Sequence, residues 1–518
     1  MVPALIAAFA LVCLGFPSYD WYFDGLTFAM AAEGVAGGGN PAWLFHPHHL
    51  LYTPVAFVAY RLAGALGLSV RAWLVMQWLS TACAVGGLWL FHRLLVRLAV
   101  PAPARLAGLV LVGASYGWWR HATQGDTTLP EAALLLALLS AAVRPATPAV
   151  LLGLLQAAAV LVHESAVIFL PAAVWAIWRL RPRAARARNL ATFLGVTAGV
   201  TAAAYLAVAV FVLRVPGLRG LAGWLSGYFG PDPRTGYAVY YAGWAPANLV
   251  ASARAWAEGF TGGWPGPAGP AEWAWRAGAA ACAIAILALA VRGIRRGLAG
   301  PPGRGARVAV EVLLVWLGAH ALFFTWWKPG HTRFWVLALP GWALLAALGA
   351  SPAKPAARRG SAGDRLAWIP ALGLTALVAV GPFRRESNPA CNPLIPVAEA
   401  VAAATPADAT IVISGVGEWN ALKAYLPYVA RRRMLVLDWQ FADKTVPPPR
   451  ALVALKLRLR LLAGTGTLFW LSEAADPGLD EHFMTRHGIA GADLRAWVAA
   501  RRPRLVATLA PELELWRP

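Results

Sequence analysis

Long apolar runs separated by short polar stretches fill the first three quarters of the chain. Segments such as 189–213 and 274–291 are apolar on all sides, without the two-residue alternation of a barrel strand. Backbone groups in hydrocarbon must be satisfied within their own segment, so these runs predict membrane-crossing helices. We place spans near 2–17, 72–92, 106–118, 129–143, 148–162 and 165–178, and further spans near 190–213, 273–291, 308–326, 333–350 and 366–382. That gives an α-helical polytopic membrane domain over 1–382 with about eleven spans. Two of its connections are long: a first outer loop, 18–70, and a second at 214–272, rich in Gly, Pro, Trp and Tyr and suited to cover a site or to rest in the interface as an aromatic belt.

From 383 onward the pattern changes. Apolar β-branched runs at 410–414, 434–438 and 467–471 alternate with helix-like stretches at 419–431 and 450–463. This predicts a soluble α/β domain over 383–518 with a small open sheet. Gly415 and Gly417 after the first of these strands begin a dinucleotide fingerprint but lack its third glycine.

Composition agrees with the spans: 59% of the 518 residues are hydrophobic and 13% are charged, with mean hydropathy +0.56. A soluble domain of ordinary composition carries about twice that share of charge. The net charge of +21 would suggest nucleic acid in a soluble protein, but here the arginines lie in alternate short loops. Arg93, Arg97 and Arg105 fall in one, Arg144 in the next, Arg179 to Arg188 and Arg292 to Arg307 in two more. By the positive-inside rule these loops are cytoplasmic, so the N-terminus is cytoplasmic and the α/β domain extracytoplasmic, with no nucleic acid as partner. Four cysteines, three of them inside apolar runs, predict neither a disulfide framework nor a zinc site.

The ionisable residues of the membrane domain gather in the opposite loops. Asp20 and Asp24 are four apart just after the first span, a spacing that puts both on one face of a helical turn. Like charges repel there, which suits one of them to accept a proton; a solvated turn at the membrane surface would use the same residues. His46, His48 and His49 cluster around Pro47, a weak metal pattern that equally suits hydrogen bonding to substrate. The next outer connection, 116–131, crowds Arg120, His121, Gln124, Asp126 and Glu131, and the third is little more than His163 and Glu164. Ionisable groups at that depth mark a functional cavity or a hydrogen bond between helices. Lys328, His331 and Arg333 form a basic cluster that runs against the charge bias, which an anion such as phosphate, or a lipid headgroup, would explain.

Taken together, the cytoplasmic start, the Asp-bearing first loop and the His-Pro segment resemble the GT-C superfamily of polytopic glycosyltransferases. The likeness is to its protein O-mannosyltransferase and lipid A aminoarabinose transferase type. Asp24, Phe28, Ala29, Glu33, His46, Pro47 and Tyr52 fall in the places of that type's first-loop pattern. The chain departs from it at Gly25, where many relatives have an acid, and at His48, where the second proline of a His-Pro-Pro segment would be.

The resemblance implies inverting transfer of a sugar from a polyprenyl-phosphate donor to a hydroxyl of a glycan, lipid or protein acceptor, outside a bacterial inner membrane. Asp24, with Asp20 beside it, would be the base, and Lys328, His331 and Arg333 would neutralise the phosphate. His46, His48, His49, Arg120, His121, Asp126, His163 and Glu164 would line the cavity. No cofactor is required by this chemistry, although one branch of the superfamily uses a divalent metal at the corresponding Asp. A transporter would show an internal repeat of spans, which this chain lacks; a non-catalytic scaffold would tolerate loss of both Asp20 and Asp24.

Overall fold

Proline opens many of the helices. Val2–Gly15, Ala102–Gly113, Leu170–Leu180, Pro246–Thr261 and Leu339–Ala350 each carry one in their first two positions, where its missing N–H costs no helical bond. The computed structural model describes residues 1–34, 41–226, 242–264, 266, 268–299, 305–351, 362–441, 446–476, 478, 480–489 and 491–518. Part of the expected covering loop, 227–241 with 265 and 267, lies outside the described residues. Its described parts include the helices Gly217–Ser226 and Pro246–Thr261.

The described residues form two units. The first takes in 1–28, 41–214 and 242–391. Ala72–Arg97, Arg183–Val212, Pro270–Ala299 and Gly305–Trp327 are long and apolar enough to cross a membrane, and shorter apolar helices pack among them. The protein is thus a helical polytopic membrane protein, with a helix at each stretch where the apolar pattern predicts a span. Several are interrupted. The expected 165–178 span begins as a 3-10 turn, Glu164–Phe169, before Leu170–Leu180. The 106–118 span breaks between Ala102–Gly113 and Tyr116–Ala122, and 333–350 divides into Thr332–Val336 and Leu339–Ala350. The first outer loop also contains a 14-residue helix, Tyr52–Ala65.

Small residues set the closest helix crossing. Gly293 on Pro270–Ala299 and Gly349 on Leu339–Ala350 lie against one another's helix backbone, so that a Cβ on either would strike the carbonyl of Leu345 or Leu289. Dispersion over such a crossing replaces the hydrophobic drive that is missing between helices in lipid.

The second unit, 29–34 with 215–226 and the described part of 392–518, holds a five-stranded sheet. Its strands are β1 (Thr410–Ile413), β2 (Arg433–Val436), β3 (Leu468–Leu471), β4 (Arg504–Ala510) and β5 (Leu513–Arg517), in the order β2-β1-β3-β5-β4. β1 pairs in parallel with β2 and β3, while β5 is antiparallel to β3 and β4. β1 and β3 are buried at every residue, as central strands covered on both faces are. Gly415 follows β1 at φ +84°, where a Cβ would run into Val436, so a glycine there meets a local packing need.

Candidate active site

Asp24 lies in the first turn of the helix Phe23–Ala32, where the helix dipole favours a carboxylate. Its side chain is 41% exposed and its Oδ2 accepts a hydrogen bond from Arg333 Nη1 at 3.1 Å. Arg333 is buried, and a buried guanidinium must place its five donors. Nη2 donates to Thr127 Oγ1 at 2.6 Å and Nε to Thr128 Oγ1 at 3.1 Å, while the guanidinium carbon lies 5.2 Å from the centre of the Tyr22 ring. Thr127 caps and Thr128 opens the helix Thr128–Ala142, so the start of that helix seats Arg333.

Beside this seat, Asp126 is fully buried; it accepts from the Thr128 N–H at 2.9 Å and pairs with His121 Nδ1 at 2.7 Å. Burial alone would raise the Asp126 carboxyl, but His121 and the charge of Arg333 more than offset it and hold it well below the usual range. Asp126 is therefore a fixed anion that completes the surroundings of Arg333.

Asp20 meets a different arginine. Its Oδ2 lies 2.5 Å from Arg120 Nη2. Arg120 also donates to the Tyr116 hydroxyl and approaches Glu386 Oε2 at 3.8 Å. Glu386 is buried and accepts from the Tyr116 hydroxyl at 2.6 Å and from Ser18 Oγ at 3.0 Å. The expectation that Asp20 and Asp24 share one helical face is therefore corrected. The helix starts only at Phe23, because the preceding backbone is bound elsewhere: Tyr19 N–H donates to the Glu386 carbonyl at 2.7 Å and Tyr22 N–H to Gln124 Oε1 at 2.8 Å.

The three histidines form a third group. The rings of His46 and His49 stack face to face at 4.3 Å, with Phe28 against His49 at 4.4 Å. His48 Nδ1 lies 3.1 Å from Glu164 Oε1. Burial pushes His46 down to about 3 and His48 down to about 4, and pushes Glu164 up to about 7. The close contact of His48 with Glu164 is then a hydrogen bond of a neutral imidazole more than an ion pair. His163, the neighbour of Glu164, turns the other way: its Nδ1 is 2.7 Å from Ser165 Oγ, which donates to Glu131 Oε1 at 2.6 Å.

The basic cluster is less basic than its composition. Burial, then the charges of Lys328 and Arg333, push His331 down to about 3, so it is a neutral imidazole, 3.3 Å by Nε2 from the Tyr22 hydroxyl. Lys328 is lowered by burial, with the charge of Asp24 acting against that shift. Lys328 and Arg333 both sense Asp24, so the sequence-predicted base and the two cations are brought together, while Asp20 and Arg120 belong to the neighbouring network.

With this geometry, comparison with known proteins is informative. No family model matches the sequence, and no curated protein does either. Among solved structures, ArnT from Cupriavidus metallidurans bound to undecaprenyl phosphate superposes at a TM-score of 0.64 with 12% sequence identity, covering 99% of this chain and 97% of that one. Its apo state gives a TM-score of 0.63 at 12% identity, over 99% of this chain and 96% of that chain. The fold is GT-C. The likeness of fold covers almost the whole length, the α/β domain included.

Several residues of this site carry little or no mark in the sequence. Tyr22, Thr127 and Thr128 are the groups that seat Arg333, and Ser18, Tyr116 and Glu386 bind Arg120. Glu386 had a usable signal as an acid following two arginines just after the last apolar run. A divalent ion does not fit at Asp24. The carboxylate faces an arginine, and among the described residues no three His, Cys, Asp or Glu side chains converge as ligands. Nor do the stacked rings of His46 and His49 aim nitrogen lone pairs at a common point.

Proposed function

We propose that the chain is a membrane glycosyltransferase that moves a sugar from a polyprenyl-phosphate donor to an acceptor hydroxyl, on the extracytoplasmic face and with inversion. The observation that carries the reading is the pairing of an accessible carboxylate, Asp24, with a buried arginine, Arg333, held by two threonines, in a GT-C fold. A solved protein of that fold carries undecaprenyl phosphate. The arginine-rich loops support an orientation in which Asp24, Glu164 and Lys328 all face outward.

In the step we propose, the acceptor oxygen attacks the anomeric carbon, the bond from that carbon to the phosphate oxygen breaks, and the hydroxyl proton passes to Asp24. Arg333 fixes Asp24 by Oδ2, leaving Oδ1 with no hydrogen-bond partner among the described residues and free to take the proton. Polyprenyl phosphate leaves as an anion, so it needs charge neutralisation more than protonation. Lys328 and Arg333 supply positive charge, and the neutral His331 a hydrogen bond, in a site where burial strengthens both. The acceptor is a hydroxyl of a glycan, lipid or protein.

The test is transfer from radiolabelled polyprenyl-phosphate sugars by membranes holding wild type or Asp24→Asn at matched expression. Transfer by the wild type that the variant loses supports the reading. Absence of transfer from every donor, with cellular function intact in Asp24→Asn, overturns it.

A further inference from the structure

A cavity of about 460 Å³ opens along the helices Val2–Gly15, Ala102–Gly113 and Ala362–Val378. Its walls are hydrocarbon: Ile6, Phe9, Val110, Trp119, Trp368 and Phe383 are representative, and its one hydroxyl, Thr375, is spent on the Ala371 carbonyl at 2.8 Å. From Trp368 to Phe383 the groove runs roughly 20 Å at the rise of a helix, comparable with the hydrocarbon of a single leaflet.

One end of the groove is charged. Phe383 packs on Phe16 at 5.9 Å and on Trp119 at 4.8 Å, so the three helices finish together there. Directly after Phe383 come Arg384 and Arg385, both exposed and without an ion-pair partner among the described residues. Two exposed cations in the two positions after the last lining residue of a chain-sized apolar groove complement an anionic headgroup carrying a hydrocarbon tail. The lining includes none of Asp24, Lys328, His331 or Arg333, the groups that would have to meet a donor phosphate.

We infer that this groove is a binding site for an anionic glycerophospholipid of the surrounding bilayer, with one acyl chain between the first and last membrane helices and the phosphate on Arg384 and Arg385. The inference goes beyond the transferase reading and does not depend on it. Bound there, the lipid would brace the segment that carries Glu386, and with it the network holding Asp20 and Arg120.

The experiment is photo-crosslinking of the full chain in nanodiscs with phosphatidylglycerol or phosphatidylcholine bearing a diazirine on one acyl chain, the adducts being mapped by peptide. Adducts in 2–16 and 368–383, with phosphatidylglycerol preferred on the order of 30-fold at low salt, are expected from two arginines near the headgroup. Arg384→Gln with Arg385→Gln should reduce labelling by phosphatidylglycerol to that by phosphatidylcholine, and Ala379→Phe, at an exposed position of the groove wall, should reduce both. Melting of the variants at the wild-type temperature in detergent shows that they fold. Equal labelling by the two lipids in the wild type overturns the inference. So does displacement of phosphatidylglycerol by equimolar undecaprenyl phosphate, which would assign the groove to a polyprenyl lipid.

Discussion

Two acid–arginine pairs whose acids are four residues apart, Asp24 with Arg333 and Asp20 with Arg120, differ in what else holds the arginine. Arg333 has one accessible carboxylate, and two further donors go to neutral threonines. Arg120 is shared among Asp20, Glu386 and Tyr116, and the first-loop backbone hangs on the same Glu386. The first arrangement leaves a carboxylate oxygen for chemistry. The second shares its arginine with the buried Glu386 and joins the first loop to the end of the last membrane helix. Proximity of charge and an unbonded carboxylate oxygen are common to both; the second carboxylate on Arg120, which Arg333 lacks, distinguishes them.

The sharpest way to break this comparison is to remove each carboxylate in turn. Asp24→Asn keeps the size of the side chain and loses the base, and transfer should fall by about 10²–10⁴, the range of general-base contributions. Asp20→Asn should cost less than tenfold, because Glu386 and Tyr116 still hold Arg120. Equal losses measured with the same donor would remove the distinction. Next in size is Arg333→Met, which takes away both the orientation of Asp24 and positive charge facing the phosphate. A loss of about 10²-fold or more is expected, as for other preorganised charge stabilisers, and Arg333→Lys should recover only part of it, since a lysine cannot reach Thr127, Thr128 and Asp24 together.

How much of this was legible depended on contrast. Asp24, Arg120, Asp126, His163, Glu164 and Arg333 stood out because an ionisable group inside apolar sequence is costly and so noticeable. Thr127, Thr128, Tyr22 and Ser18 are ordinary residues in such a chain, and only three-dimensional convergence gives them a role. The pairing of Asp20 with Asp24 was misread because helical spacing was applied to backbone that is held out of the helix by Glu386 and Gln124. In the second unit, β1 to β3 were visible as dense apolar runs. β4 and β5 were not, since β4 is exposed or half-buried along its length and its residues carry little of a strand's alternation.

Glu386 offers a smaller test. Glu386→Gln retains a carbonyl for Tyr116 or Ser18 but removes the charge facing Arg120. The loss should be about 2 kcal/mol, that of a hydrogen bond to a charged group, seen as a lower melting temperature with transfer reduced less than tenfold at a permissive temperature. A variant that melts normally but transfers no sugar would move Glu386 from the supporting network into the reaction.

The smallest expected effect tests the histidine group, which resembles neither arginine pair because burial leaves it nearly uncharged. Glu164 is raised to about 7 in the folded protein, above its ordinary value, so the folded state holds its proton more tightly than the unfolded chain does. The stability tied to that proton is fully present below the ordinary carboxyl range and is lost as pH rises through about 7. His48 has the opposite sign: it is lowered to about 4, so its contribution is present above the ordinary histidine range and lost as pH falls through about 4. Comparing wild type with Glu164→Gln cancels the histidine to first order. Between pH 5 and 8 the wild type should lose on the order of 1 kcal/mol relative to the variant, after allowance for the side chain's partial exposure to solvent. A difference in melting temperature that stays flat over that interval would mean that Glu164 is ionised throughout, and that His48 and Glu164 form an ion pair like the two arginine sites.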